Sequence, residues 1–116
     1  MLDHGGKPPI GQPDAMRGWE QALLALSRYQ NVSCKLSGLL TEAPAQGRDT
    51  AVHDTIRRLI GIWGPHRLLW GSDWPVLTLA GDYAGWLTLT RDALSGLSQA
   101  ERSAVLGANA RRIYGV

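Results

Sequence analysis

The sequence predicts an α/β fold in which parallel strands are joined by crossover helices. Three observations predict it. Apolar residues recur at helical spacing over 17–30, 50–63 and 83–95, and a further helix follows Ser98. Short strand-like segments lie ahead of the first three helices, at Leu2-Asp3-His4, Val32–Leu39 and Arg67–Asp73. The order is therefore strand, helix, strand, helix, strand, helix, helix, the alternation that builds a parallel sheet covered by helices.

Leu2-Asp3-His4 has the character of a strand end, and the Gly5-Gly6-Lys7-Pro8-Pro9 loop behind it cannot be crossed by a helix. In the first helix, Trp19, Ala22, Leu23 and Leu26 form one stripe at i, i+3, i+4 and i+7. Asn31 breaks the pattern. Val32, Cys34 and Leu36 then alternate with Ser33, Lys35 and Ser37, a strand that ends at Gly38. A polar loop from Thr41 to Asp49 leads to the second helix, with Val52, Ile56, Leu59, Ile60 and Trp63 on its apolar face and Gly64-Pro65 as its stop. Arg67-Leu-Leu-Trp70 suits a strand covered on both faces, leaving the core at Gly71-Ser72-Asp73. Tyr83, Trp86, Leu87, Thr90 and Leu94 share one side of the third helix. Ser98 and Glu101 have the spacing of a capping box, so the last helix starts there and runs to Ile113 before Gly115.

Composition narrows the function classes. The 116 residues are 44% hydrophobic and 19% charged, the range of an ordinary folded domain, read as one domain over 1–116. No segment reaches the roughly 18 apolar residues of a membrane span. The N-terminus lacks an apolar leader core, which makes a cytoplasmic setting the expectation. A net charge of +2 with scattered basic residues gives no stripe for nucleic acid, so Arg57-Arg58 and Arg111-Arg112 are read as solvated faces or local ion pairs. The single cysteine, Cys34, can form neither an internal disulfide nor a thiolate zinc cluster and reads as a buried thiol. The chain has no Gly-x-Gly-x-x-Gly turn, which argues against a small dinucleotide-binding module.

Parallel α/β folds carry their chemistry at the carboxyl ends of the strands. Those ends offer His4, then Lys35 and Ser37, then Ser72-Asp73. With adjacent strands, His4, Lys35 and Asp73 would converge. An imidazole and a carboxylate suit zinc or a similar divalent ion. The carboxylate could also take a proton from water, metal-bound or free, for attack on a carbonyl. Lys35 could hold a substrate carboxylate or an oxyanion. Each residue also suits a plain structural role: Asp73 bonding to the amides of its own turn, His4 in solvent, and Lys35, more often than not for a strand lysine, lying along the sheet. His53, His66 and Glu42 read as surface residues, Trp63 and Trp70 as core, and Trp74 as either core or site.

Four segments together carry a resemblance. They are Leu2-Asp-His-Gly-Gly-Lys-Pro8, Asn31-Val-Ser-Cys-Lys-Leu-Ser-Gly-Leu39, Gly64-Pro-His-Arg-Leu-Leu-Trp-Gly-Ser-Asp-Trp-Pro75 and Asn109-Ala-Arg-Arg-Ile-Tyr114. In order and spacing the chain resembles the amidohydrolase-2 family, near its aldonolactonases and pyrone-dicarboxylate lactonases, over nearly its whole length. The resemblance implies a (β/α)8 TIM barrel that hydrolyses lactones or related carbonyl compounds, with or without a divalent metal such as zinc. It implies that Asp73 ends the last barrel strand as general base, metal ligand or both, and that His4 lines the site as its partner. Lys35, Lys7 and Trp74 are the implied substrate contacts. Gly5 stands where the family usually has a bulkier residue. The family's opening His-x-His strand has no counterpart here, so the expectation is the C-terminal part of a barrel: about three of eight βα units and a terminal helix, against roughly 250 residues for a whole one. Such a piece is expected to expose strand edges and its barrel-side face, including Cys34 and Leu69, and either to be marginally stable alone or to be rescued by self-association. The expected partner is a small lactone in the enzyme reading. In the alternative reading the piece is a non-catalytic module for assembly.

Overall fold

A computed structural model describes all residues from Met1 to Val116. Two short strands, β1 (Cys34–Leu36) and β2 (Leu68–Trp70), run parallel, with Cys34, Lys35 and Leu36 opposite Leu68, Leu69 and Trp70. Leu2 bridges Cys34 in the same sense, so the predicted first strand is present as a single parallel bridge on the other side of β1. The sheet order is thus Leu2, β1, β2, with β1 in the middle.

Helices α1 (Pro13–Ser27), α2 (Arg48–Trp63) and α3 (Tyr83–Ala93) follow the three strand segments in turn. α1 starts earlier than its apolar stripe suggests because Pro13 brings a helix-ready φ to the first turn. The stripe is also displaced: Ala22 is exposed, and Trp19 and Leu23 are the buried members. α3 starts where Asp82 accepts a hydrogen bond from the Gly85 amide. The last helix comprises α4 (Gln99–Ser103), one π turn at Ala104–Ala108 and α5 (Asn109–Tyr114). Its predicted capping box is present, with Ser98 and Glu101 bonded reciprocally, and those bonds hold the Glu101 carboxyl below its ordinary range.

The core lies between the sheet and α1–α3. Cys34, Leu36 and Leu68 face the helices and pack with Val52, Ile56, Leu59 and Leu94. The expectation that Cys34 and Leu69 would stand uncovered on the barrel side is corrected. Cys34 is 0% exposed because alternation turns it, with Leu36, toward the helices. Leu69 does face the other way but is 2% exposed, at the level of Lys35, which Tyr114 reaches from the C-terminal segment. The outer edge of β2 is partly covered too. Asn109, almost fully buried, donates from Nδ2 to the carbonyls of Pro65 (2.7 Å) and Leu68 (2.9 Å), and Arg112 donates to the carbonyl of His66. No helix is long and apolar enough to cross a membrane.

Burial pushes the Cys34 thiol up to about 12. The folded state holds the proton more tightly than the unfolded chain, whose thiol titrates near 9. This contribution to stability is therefore intact below pH 9 and falls as pH rises toward 12, by about 1.4 kcal/mol per pH unit. Cys34 should accordingly stay unmodified by a disulfide reagent at pH 8 until denaturant is added, and Cys34→Ala should flatten the loss of stability above pH 9. Rapid labelling of the native chain would contradict the packing described.

Candidate active site

Each outer strand segment ends in a residue with left-handed backbone. His4 has φ 52° and Asp73 has φ 58°. Left-handed backbone costs a non-glycine residue about 1–2 kcal/mol. At His4 the conformation starts the tight 3-10 turn His4–Gly6, closed by the Gly6 amide on the Asp3 carbonyl and the Lys7 amide on the His4 carbonyl. At Asp73 it turns the chain off β2 into a 3-10 turn at Val76–Leu79, where the Leu77 amide bonds to the Asp73 carbonyl.

These turns send both side chains over the end of the middle strand. His4 Nδ1 lies 2.8 Å from Ser37 Oγ, and His4 Nε2 lies 3.7 Å from Asp73 Oδ1. The second distance is an ion-pair approach, longer than a hydrogen bond. Gly38 makes the crossing possible: a Cβ there would stand 2.7 Å from His4 Nδ1 and 2.8 Å from its Cγ, and its φ of 67° is one that glycine adopts without strain. Asp73 and Ser72 also line a small cleft with Gly38, Thr41, Leu77 and Trp86.

The plain structural role for Asp73 is taken by its neighbour. Ser72 Oγ accepts the Trp74 amide at 3.2 Å, whereas the Asp73 carboxylate accepts no backbone hydrogen bond and faces His4. Its side chain is 18% exposed and that of His4 36%, so the pair is sheltered yet open to a small molecule. The Ser37 hydroxyl can donate to Nδ1 or accept from it, so this contact fixes the orientation of the ring and leaves Nε2 facing Asp73.

None of the predicted substrate contacts bonds to this pair. Lys35 does not join His4 and Asp73. It bonds Asp3 at 3.2 Å, and that bond, with Tyr114 assisting, raises its pKa above the ordinary value. Alternation explains this, since Ser37 shares the face of Lys35 but lies one step closer to the strand end. Ser37 is thus the β1 residue that meets His4, and period-two spacing from Lys35 is the signal that marks it. Lys7 is largely exposed and reaches to within 3.9 Å of Glu42. Trp74, immediately after Asp73, is 69% exposed. His53 pairs with Asp92 at 3.1 Å on the outer helices, away from the sheet end.

His4 and Asp73 offer a nitrogen and an oxygen donor at a separation close to the roughly 3.3 Å expected of two ligands on one tetrahedral zinc. The pair fits as two ligands of such an ion. The chain brings no third His, Cys, Asp or Glu to them, so further donors would have to come from another segment or from water.

A family model for amidohydrolases matches residues 1–116. The chain belongs to the amidohydrolase family. It is 40% identical over 120 residues to an L-fucono-1,5-lactonase of Burkholderia ambifaria, an alignment covering 98% of this chain and 40% of that protein. The crystal structure of an amidohydrolase from Burkholderia multivorans with bound zinc superposes with a TM-score of 0.93 at 38% identity, over 99% of this chain and 43% of that one. A candidate 2-pyrone-4,6-dicarboxylic acid hydrolase from Pseudomonas putida matches with a TM-score of 0.76 at 27% identity, over 97% of this chain and 41% of that one. The chain spans about two fifths of the length of these relatives. Its fold is part of the TIM barrel of amidohydrolases, as its parallel strands and crossover helices predict.

Gly38→Ala should displace the His4 ring and destabilise the chain by about 1–2 kcal/mol from backbone conformation alone. Thermal unfolding measures the loss, and NMR contacts between the imidazole and Ser37 measure the displacement. A variant with native stability and an unmoved ring would refute the steric account.

Proposed function

We propose that the chain supplies two catalytic groups, His4 and Asp73, to a hydrolase that opens a lactone, with a sugar aldonolactone or a dicarboxylate lactone as substrate class. The observation that carries the reading is the meeting of these side chains from two strained strand ends, with the Asp73 carboxylate left free of backbone bonds. Strained backbone of this kind persists only where surrounding structure enforces it, and it gathers at functional sites. Similarity to an L-fucono-1,5-lactonase supports the substrate class.

Lactone opening needs a water deprotonated as it attacks the ring carbonyl, charge stabilisation at the carbonyl oxygen, and a proton for the alkoxide that leaves. Asp73 is suited to take the proton from water, because its carboxylate is sheltered and uncommitted. His4, with Nδ1 held by Ser37, presents Nε2 at a fixed position beside it. A divalent ion held by His4 and Asp73 would supply positive charge to polarise the carbonyl and acidify water. Trp74 offers an exposed aromatic surface to the substrate's apolar edge. Lys7 and, from the barrel side, Lys35 are cations for a substrate carboxylate.

A second reading is that this piece serves assembly alone. It is favoured by the sheet, in which Leu2 pairs only with Cys34 and the outer edge of β2 is only partly covered. Edges of that kind invite pairing with another chain. On either reading the isolated chain should sediment as a species larger than a monomer. A monomer that unfolds cooperatively would remove self-association from the account.

For catalysis, Asp73→Asn in a protein carrying the whole barrel should lower kcat on aldonolactones by at least about 100-fold while circular dichroism stays native. Unchanged kcat would remove Asp73 as the base.

A further inference from the structure

The two strained site residues share one kind of support. The indole Nε1 of Trp19, on α1, donates to the carbonyl of Gly5 at 2.8 Å. The indole Nε1 of Trp86, on α3, donates to the carbonyl of Gly71, also at 2.8 Å. The separations are 14 and 15 residues, so the first and third βα units carry the same kind of contact, on opposite sides of His4 and Asp73 in the chain. Gly5 directly follows His4, and Gly71 lies two residues before Asp73. Trp19 is 7% exposed and Trp86 1%; the bond to Gly5 is buried, where an unpaired carbonyl is costly, and the bond to Gly71 is part-buried. In the middle unit the strand end carries Gly38, which takes its φ of 67° without strain, and α2 sends it no indole. α2 does carry a buried tryptophan, but Trp63 Nε1 has no partner.

We propose that Trp19 and Trp86 are positioning residues, whose indole N–H bonds to Gly5 and Gly71 hold His4 and Asp73 in left-handed backbone and so keep the imidazole facing the carboxylate. Each bond holds, from the helix side, a peptide plane one removed from those flanking the strained residue, Gly5–Gly6 after His4 and Gly71–Ser72 before Asp73, and so anchors the turn that carries it. The inference rests on His4 and Asp73 being the functional pair, and geometry and turnover test it separately.

The geometric test uses Trp19→Phe, Trp86→Phe and, as control, Trp63→Phe in the 116-residue chain. Phenylalanine keeps an aromatic ring and removes the N–H. Left-handed backbone brings a residue's amide and α protons close together, giving a strong NMR cross-peak. Trp86→Phe should weaken that cross-peak at Asp73 and spare His4, Trp19→Phe should do the reverse, and Trp63→Phe should change neither. Should the Trp86 variant fail to fold, replacing Trp86 with β-(3-benzothienyl)alanine preserves the ring shape without the N–H, and the same loss at Asp73 is expected. Native cross-peaks at Asp73 in a folded Trp86 variant would overturn the proposal. In a protein carrying the whole barrel, Trp86→Phe should lower kcat on an aldonolactone by about 10- to 100-fold with KM within about twofold. A native kcat there would likewise overturn it. Absence of turnover in the unsubstituted protein would instead count against the lactone reading, leaving the geometric result to decide the positioning role.

Discussion

The site depends on an atom that is missing. Gly38 has no Cβ, and the space it leaves is filled by the His4 imidazole. His4 and Asp73 leave strand segments separated by β1, so their side chains can meet only by crossing its end. A residue of any other type at 38 would block that passage and strain the backbone as well. Ser37 then turns proximity into orientation by fixing Nδ1, which leaves Nε2 as the atom that faces Asp73. The order of Ser37 and Gly38 matters: one residue points inward to bond the ring, and the next leaves room for it.

Support for this arrangement comes from behind the sheet. Cys34, Leu36 and Leu68 bury their side chains against the helices, so the strands that aim the site are anchored by the best-packed part of the molecule. The turns bearing His4 and Asp73 are in unfavourable backbone conformations, and tertiary structure must hold them there. Rigid scaffold and strained turn thus divide the work, as in α/β enzymes whose loops carry the chemistry.

Much of this could be read in the amino-acid order. Helical periodicity located α2 and α3 closely because Val52, Ile56, Leu59 and Trp86 face the core without interruption. The Gly-Ser-Asp-Trp-Pro segment marks Asp73 and the strand-end rule marks His4 as candidates, and their side chains do approach one another. Less was legible where tertiary contacts decide. Three strand segments were visible, yet the first is a single bridge at Leu2. The period-two pattern put Lys35 and Ser37 on one face but did not say that Asp3 would engage the lysine and leave the serine for His4. Nor does Asn109 look distinctive in a helix, although its amide covers the outer edge of β2 by bonding backbone 41 and 44 residues away.

The π turn at Ala104–Ala108 has a further meaning in that light. Ahead of it, the helix is fixed by its capping box at Ser98, and beyond it Asn109 and Arg112 are fixed by backbone carbonyls beneath β2. A helix tied at both ends must keep its rotational phase between them. Each residue of an α-helix advances that phase by about 100°, so one residue gained or lost would swing Asn109 off the strand edge. The wider turn absorbs one residue between two fixed points, as a length adjuster does between two bolted plates. Variation in helix length can therefore collect at this segment while the strand that ends in Asp73 keeps its place.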